Sequence, residues 1–491
     1  MMKSAQRQNE NKKWDRRDLT ERLCHALDIA KLAVDQLATK GYSDPKNPAK
    51  NIRPEKVISE TAVLLTAASA VIAHPEIKTR IQLLAERLLP HARGERMMLG
   101  LCLEASVAWD YALPHICLTR LGYADPEFDE LLRQSLKSQA HAGRERVPHR
   151  ILEQEWVAMS WPDPRLPHRS TTSSTARMSI LNHPMDLLNG TRDDIYAFTH
   201  ALMYVTDFNL HPMPLPRNRA VILAEADAVL ARCLDEQDYD LSGEVLLSWP
   251  LTGKSWSSAA AFAFRVLAHV EDKAAFLPTP STRISELKAL EGIRRTQYLV
   301  ATAYHTAYVM GLICAASLQR EHEPPAMLPS DNVSPGVAQR VLDLIDTDGR
   351  SPHWREEFRQ LTDQETDALA EFLINVTLRR RFASRDFEGI RALLELAYDL
   401  NLANGPAVSQ AAEMLHCLAA YARTVSHARQ KAVSLAILDR DNDINDSSPS
   451  QKSNCGTIGH NTASCTEATI PQSIESPSSC SALDAVTVRA E

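Results

Sequence analysis

The 491-residue sequence has no Cys-x-x-Cys pair among its nine cysteines, which argues against a zinc ribbon and against a redox dithiol. Six cysteines lie in apolar helical surroundings, where a free thiol behaves as a small core residue: Cys24, Cys102, Cys117, Cys233, Cys314 and Cys417. Scattered cysteines in odd number suit a reducing compartment. The polar first 17 residues contain no apolar stretch for a signal peptide, so we expect a cytoplasmic protein.

Long apolar runs and concentrated positive charge are also lacking. No apolar run approaches the ~20 residues that a bilayer-crossing helix needs, so no membrane span is predicted. Charged residues make up 24% of the chain, the net charge is −8, and the arginine clusters at 16–17 and 379–381 lie beside acidic helices. This balance argues against nucleic-acid binding. It leaves a small-molecule substrate or a protein partner open.

Signals for β-strands are nearly absent. Aromatic residues make up only 6% of the sequence, and no alternating β-branched runs are bounded by hairpin turns. Leucine and alanine instead recur at i, i+3 and i+4, as in residues 19–33, between breaks rich in Pro, Gly and Asp. We expect an all-α fold of stacked helical hairpins. Because no fixed repeat period is visible, both an α/α toroid and an irregular helical array fit the pattern.

Composition divides the chain into five segments. Residues 1–16 are predicted to be a flexible leader, 17–160 an N-terminal helical part, and 191–438 the C-terminal part of the same helical array. Between them, 161–190 is rich in Pro, Ser and Thr and is interpreted either as a lid or binding loop or as a plain linker. Residues 439–491 contain too little apolar surface to offset their ordering entropy, which predicts a disordered tail.

Familiar catalytic and nucleotide-binding motifs are missing. The sequence has no HExxH, GxSxG or GxGxxG motif. Thr252–Ser255 resembles the end of a P-loop, but Ser248 stands where the first glycine belongs and no strand precedes it. The aspartate-rich motifs of helical terpene cyclases are incomplete at Asp193–Asp194 and at Asp238–Leu241. The sequence therefore predicts no metal ligands and leaves any cofactor unassigned.

The helix predicted from residue 192 to residue 208 carries an unusual polar face. At 100° per residue, five of its side chains fall within one stripe: Asp193, Tyr196, His200, Tyr204 and Asp207. Ordinary surface helices carry Lys and Glu at such positions. His200 is suited to act as an acid or base, with Asp207 or Asp193 orienting its ring. The alternative is a buried polar seam that joins two helices without chemistry.

A second polar group lies inside an apolar helix. Tyr304 and Tyr308 share one face, and His305 is a neighbour of Tyr308 at i, i+3. A histidine in such a helix is commonly a hydrogen-bonded core residue. If this helix and the His200 helix face one cavity, Tyr304, His305 and Tyr308 would line a pocket.

A third group contains Asp240 and Glu244, which lie one helical turn apart. Together they could hold a cation or share a proton. An aspartate that precedes a helix also serves as an N-cap and complements the helix dipole. We favour capping for Asp240 and leave Glu244 open as a pocket residue.

Three segments resemble an uncharacterised bacterial domain family: Asp194–Phe208, Asp238–Glu244 and Tyr304–Val309. The family pattern contains a T-H-x-x-x-Y-x-T-D-F element followed by a Y-H-T element. The resemblance covers roughly residues 20 to 320. The resemblance implies an all-helical fold and no established activity. It also suggests that relatives occur beside natural-product genes.

These patterns lead to two hypotheses. The first is an enzyme of the helical-toroid kind, cyclase- or lyase-like, that acts by acid/base chemistry on a small, largely apolar, natural-product-type substrate. Its predicted catalytic residues are His200, Asp207, Asp193 and Tyr204. Its predicted substrate-binding residues are Tyr196, Tyr304, His305, Tyr308 and Glu244. The alternative is a non-catalytic helical scaffold or binding protein in which the polar stripe is a packing device.

Overall fold

The computed structural model describes nine ranges of residues: 14–37, 54–138, 143–163, 174–210, 214–279, 281–319, 321–329, 334–345 and 352–445. Within these ranges, only the backbone is described for residue 209 and for residues 427–445. The described residues form helices joined by turns and loops, with no strand among them. The prediction of an all-α protein is therefore confirmed. Residues 1–13 of the predicted leader (1–16) and residues 446–491 of the predicted tail (439–491) lie outside the described residues.

The first eight helices precede the polar stripe in the chain: α1 Arg16–Asp35, α2 Pro54–Ala68, α3 Pro75–Ala92, α4 Glu95–Leu103, α5 Ala108–Arg120, α6 Pro126–Ser135, α7 Pro148–Ser160 and α8 Ser174–Met178. The stripe and the later polar groups belong to the next set: α9 Arg192–Val205, α10 Arg219–Asp235, α11 Tyr239–Leu246, α12 Ser248–Thr252, α13 Ser258–Ala274, α14 Ile284–Lys288 and α15 Gly292–Gln319. The remaining helices follow: α16 Val337–Leu342, α17 Trp354–Phe358, α18 Asp363–Asp367, α19 Ala370–Ala383, α20 Phe387–Asp399 and α21 Pro406–Asn445.

Helix α15 lies at the centre of the packing. From residue 300 to residue 318 it is buried on nearly all sides, and it packs against α1, α2 and α11. Gly311 permits the close approach of α1, because a Cβ there would lie 2.7 Å from the Cβ of Ala26. A helix that is apolar all round needs such a covering of neighbours.

Within the described residues, α15 is also the one helix that is long and apolar enough to cross a bilayer. The most apolar 18-residue window of this helix is 78% buried inside the protein. This degree of burial is typical of a core helix surrounded by other helices.

Helices from both predicted helical parts pack together. α1 and α2, from the N-terminal part, contact α15 from the C-terminal part, and α7 packs against α9. The intervening segment 161–190 is partly helical, since it contains α8 and a 3₁₀ turn at Ile180–Asn182, while 164–173 lie outside the described residues. The order of elements thus brings α9 next to α7 and α11.

The chain divides into two compact units, with a boundary between Ala411 and Ala412. The first unit contains α1 to α20 and the beginning of α21. The described part of the second unit is the remainder of α21, which continues as a helix to Asn445. The helix therefore extends beyond residue 439, where the composition predicts that the tail begins.

Candidate active site between helices α2, α9, α11 and α15

The polar stripe begins with a well-capped helix. Thr191 and Asp194 form a capping box at the start of α9, which satisfies backbone donors that have no partner within the helix. Tyr196, His200 and Tyr204 then follow one another on a single face. Their rings stack edge-to-face, with centroids 5.7 Å apart for the first pair and 5.9 Å for the second. The helical spacing thus places His200 between two phenol rings.

Helix α11 supplies the two carboxylates that face this stripe. The N-cap of α11 is Asp238, which accepts from the backbone N–H of Leu241 and forms two hydrogen bonds with Arg192, at 2.7 and 3.2 Å. The prediction that Asp240 caps this helix was wrong, because Asp240 already lies inside the first turn and its side chain contacts α9 instead. Its Oδ2 accepts a 2.7 Å hydrogen bond from the hydroxyl of Tyr196.

Glu244 joins the two histidine helices. Its side chain is buried, and Oε2 accepts a 2.6 Å hydrogen bond from Thr199 while lying 3.7 Å from Nε2 of His200. The other oxygen, Oε1, lies 3.4 Å from Nε2 of His305. Burial by itself would raise the pKa of Glu244, but His200 and His305 lower it. Glu244 is therefore an ionised carboxylate shared by both rings.

His305 is surrounded by carboxylates from two other helices. Its Nε2 lies 3.3 Å from Oδ1 of Asp240, and its Nδ1 lies 3.2 Å from Oε2 of Glu60 on α2. Burial disfavours the charged ring, but Glu60, Asp240 and Glu244 raise the pKa of His305 well above its ordinary value. Burial likewise acts to raise the pKa of Glu60, which His305 and Lys56 lower to about 2. Mutual attraction thus keeps these groups charged in spite of burial.

Five buried polar atoms at the site make no hydrogen bond of good geometry among the described residues: Nδ1 of His200, Oδ1 of Asp240, Oε2 of Glu60, Nδ1 of His305 and the hydroxyl of Tyr304. Three of them take part in the ionic contacts of His305 described above, namely Oδ1 of Asp240, Oε2 of Glu60 and Nδ1 of His305 itself. The histidine side chains themselves are 20% exposed for His200 and 25% exposed for His305. The cluster therefore combines unsatisfied polar atoms with an edge that solvent reaches.

Helix α7 forms a further wall beside His200. Tyr204 donates a 2.8 Å hydrogen bond to Glu153, which also pairs with Arg150 at 2.8 Å. The His149 ring lies edge-on to His200, with centroids 6.2 Å apart. Burial, Arg150 and His200 together lower the pKa of His149 to about 4, so this ring is neutral near pH 7.

Residues 24–315 match a family model described as a domain of unknown function (DUF6895). The chain belongs to this family. The four helices that build the site lie almost wholly inside the family domain, and the fold expected from the resemblance is confirmed. Comparisons with curated proteins and with solved structures gave no match. The comparisons therefore show the family to which the chain belongs, and they assign no activity to the site.

The two carboxylates predicted to orient His200, Asp207 and Asp193, have other surroundings in the structure. Asp207 accepts hydrogen bonds from Trp156 at 2.6 Å and from Arg120 at 3.4 Å. Since α9 ends at Val205 and the φ of Asp207 is 47°, this residue no longer follows helical spacing. Asp193 is exposed in the first turn of α9. The carboxylate that the structure places beside His200 is Glu244.

The predicted pocket residues of α15 are only partly brought together. Tyr308 is buried and its hydroxyl is hydrogen-bonded to Thr61 at 2.8 Å, as in a core position. Tyr304 packs edge-to-face on Tyr308, with centroids 5.2 Å apart, and lies beside Glu60. His305 alone of the three reaches the carboxylates of α11.

Sequence reasoning did not identify the residues that complete the cluster. Glu60, Thr199 and Arg192 were missed. A role for Asp240 in holding a cation was considered, but capping was favoured for this residue. One signal was available for Glu60, because Glu60 and Thr61 interrupt an otherwise apolar stretch of α2. The packing of α2 against α15 cannot be predicted from the sequence, so the sequence did not indicate that Glu60 faces His305.

Proposed function

We propose that this chain is an enzyme that acts by acid/base chemistry on a small, largely apolar substrate of natural-product type, in a cyclase- or lyase-like reaction. The observation that carries the proposal is the environment of His200. Its Nε2 faces the Glu244 carboxylate at 3.7 Å, and its Nδ1 has no hydrogen-bond partner among the described residues. One ring nitrogen thus faces a carboxylate, while the other makes no hydrogen bond among the described residues and would be the atom that meets a substrate.

The groups around His200 have complementary roles in the proposal. Glu244 holds the ring, and Thr199 fixes Glu244 through the 2.6 Å hydrogen bond to Oε2. Tyr196 and Tyr204 enclose the imidazole with their rings, which favours an apolar substrate beside the reacting nitrogen. His200 would then give or take the proton through Nδ1.

A cytoplasmic location forms part of the proposal. The six cysteines within the described residues are all free, and four of them are buried. Unpaired cysteines of this kind suit a reducing compartment.

The proposal is tested by replacing His200 with alanine. The wild-type chain is incubated with a library of small apolar metabolites, and product formation is followed by mass spectrometry. We expect His200→Ala to abolish any turnover that the wild type shows, with the far-ultraviolet circular dichroism unchanged. His183→Ala is the matched control, since His183 is exposed. Turnover by His200→Ala at the wild-type rate would refute the assignment.

A non-catalytic scaffold is the second candidate, and the internal pairing of the seam favours it. Tyr204 is paired with Glu153, and Tyr308 is paired with Thr61, so these phenols join helices without any ligand. Under this alternative, His200→Ala would lower the free energy of unfolding by ~1–3 kcal/mol, because it leaves buried polar partners unsatisfied. No substrate in the library would be converted by the wild type.

A further inference from the structure

The second nitrogen-and-carboxylate group, formed by Asp240, Glu244 and His305, has the arrangement of a metal site. One ligand atom from each residue lies within 4.8 Å of the others. Nε2 of His305 is 3.3 Å from Oδ1 of Asp240 and 3.4 Å from Oε1 of Glu244. Ligand atoms about 2.1 Å from a tetrahedral ion are separated by about 3.4 Å. The two separations from Nε2 are close to this value, so the three residues could surround one ion.

The opposite edges of the two carboxylates are already held by other side chains. Oδ2 of Asp240 accepts from Tyr196 at 2.7 Å and from Arg192 at 3.3 Å. Oε2 of Glu244 accepts from Thr199 at 2.6 Å. The remaining oxygens, Oδ1 and Oε1, are turned towards His305. Metal-binding carboxylates are commonly oriented by hydrogen bonds of this kind.

The far side of the imidazole is held in a similar way. Nδ1 of His305 faces Oε2 of Glu60 at 3.2 Å, which leaves Nε2 as the nitrogen directed at Asp240 and Glu244. A carboxylate behind a histidine fixes its tautomer and increases its basicity as a ligand. Glu60 therefore fits the position of a carboxylate behind a metal-bound histidine.

A buried carboxylate oxygen that accepts no hydrogen bond also points to a ligand in this group. Oδ1 of Asp240 makes no hydrogen bond among the described residues, its ionic contact is Nε2 of His305 at 3.3 Å, and the Asp240 side chain is only 9% exposed. A buried carboxylate oxygen without a hydrogen bond is costly. Glu60, Asp240 and Glu244 also concentrate three negative charges around one histidine. A dication placed against Oδ1 would satisfy this oxygen and compensate two of the charges.

We propose that Asp240, Glu244 and His305 bind one divalent first-row transition-metal ion, with Glu60, Tyr196, Thr199 and Arg192 positioning the ligands. A mixed set of one imidazole and two carboxylates suits Mn²⁺, Fe²⁺ or Zn²⁺ better than Ca²⁺, which takes oxygen ligands. Three protein ligands leave coordination positions for water or substrate. The site adds to the proposed function a metal ion that lies on the far side of Glu244 from His200.

The test uses the full-length chain after removal of metals with a chelator. Mn²⁺ is titrated and followed by calorimetry and by electron paramagnetic resonance of the free ion. We expect one Mn²⁺ per chain. Asp240→Asn keeps the size of the side chain and removes its charge, and we expect it to weaken binding at least 100-fold. Asp193→Asn makes the same change at an exposed carboxylate of α9 and should leave the affinity within a factor of two.

A positioning variant and a spectroscopic measurement separate ligands from their supports. Tyr196→Phe removes the hydrogen bond to Asp240 and should weaken Mn²⁺ binding about 10-fold. The bound Mn²⁺ should show magnetic coupling to a histidine nitrogen, and His305→Gln should remove that coupling. Binding measurements need no substrate, so their outcome is independent of whether the chain is an enzyme.

The competing arrangement is a proton in place of the metal. His305 would then be an imidazolium ion that contacts Asp240 and Glu244 directly. Nitrogen-15 spectra of the wild type decide between the two, even if Asp240→Asn does not fold. With saturating Zn²⁺ we expect Nε2 of His305 to lose its proton. Two protonated ring nitrogens at saturating Zn²⁺, or the absence of stoichiometric Mn²⁺ binding, would overturn the proposal.

Discussion

Asp227 shows how one side chain makes stability depend on pH. It lies on α10, and its Oδ1 accepts a 2.6 Å hydrogen bond from Ser257, whose Oγ also caps α13 by accepting from the N–H of Ala260. Burial raises the pKa of Asp227 to about 7, with Ser257 lowering it and Glu371 raising it. In an unfolded chain the pKa of an aspartate is about 3.9. Between pH ~4 and ~7, the folded protein keeps a proton that the unfolded chain releases.

Stability therefore falls as the pH rises through this window, and the loss is complete above pH ~7. We expect Asp227→Asn, which still accepts from Ser257, to be more stable than the wild type at pH 8, on the order of 1–4 kcal/mol. The difference should vanish near pH 4. Urea unfolding of both proteins at pH 4, 6 and 8 measures it, and other raised carboxyls such as Asp110 cancel in the comparison. A difference that does not change with pH would contradict this role.

At the same scale, the site was predictable where helical spacing alone decides it. Tyr196 and His200 share a face as predicted, and Glu244 and His305 lie with them. Asp207 does not, because α9 ends before it and the 100° rule no longer applies. Asp240 was misassigned because capping depends on backbone angles that residue type does not determine. The catalytic role of His200 stays a prediction.

Among the elements, the approach of α11 to α15 is set by the glycine between the two carboxylates of α11. A Cβ at Gly243 would lie 2.5 Å from Cγ1 of Val309 and 3.7 Å from Cδ1 of Ile313. A contact of 2.5 Å is too short, so either helix must shift to accept a methyl group. Because Asp240 and Glu244 flank Gly243 on α11, the same close packing sets their distances to α15.

Gly243→Ala should therefore affect both stability and the cluster. We expect a loss of ~1–3 kcal/mol from overpacking, together with weaker Mn²⁺ binding as the carboxylates move away from His305. Melting temperature and Mn²⁺ titration measure the two effects. Gly405→Ala serves as the control, since a Cβ there meets its nearest neighbour at an ordinary 3.6 Å. An unchanged melting temperature for Gly243→Ala would show that α11 and α15 accommodate a methyl group at this position, which would contradict the prediction.

For the whole molecule, a buried ionic network connects the first helix to α13. Arg22 on α1 is 6% exposed and binds Glu271 and Asp272 of α13, with a further bond to Asp18 on its own helix. Removing one partner from such a network leaves a buried charge uncompensated, which is more costly than losing a surface pair. The network therefore holds the N-terminal helix against the C-terminal half of the family domain.

Arg22→Ala is expected to destabilise the protein by about 3–5 kcal/mol, because Glu271 keeps its burial and loses its counterion. Arg17→Ala removes an arginine from the same helix, but Arg17 is 86% exposed and pairs with Glu21 at the surface. That control should change stability by less than about 0.5 kcal/mol. The midpoints of urea unfolding give both values. Equal urea midpoints for the two variants would mean that the network does not stabilise the packing of α1 against α13.

The all-α class followed from the sequence because helix periodicity and the lack of strand signals are local properties. The partners of each helix did not follow, because an apolar stripe shows which face is buried and not which neighbour covers it. Helix α15 illustrates this limit. Its apolar composition predicted burial, whereas its contacts with α1, α2 and α11 depend on segments far away in the chain.

The pairing of α1 with distant helices has a consequence during synthesis on the ribosome. Arg22 and Glu271 are 249 residues apart. At the usual speed of translation, of about 5 to 20 residues per second, α1 emerges roughly 12 to 50 seconds before α13. During that interval the apolar face of α1, with Leu19, Leu23 and Leu27, lacks its final neighbours. The nascent chain therefore exposes an aggregation-prone apolar segment, which a chaperone would shield until α13 has been synthesised.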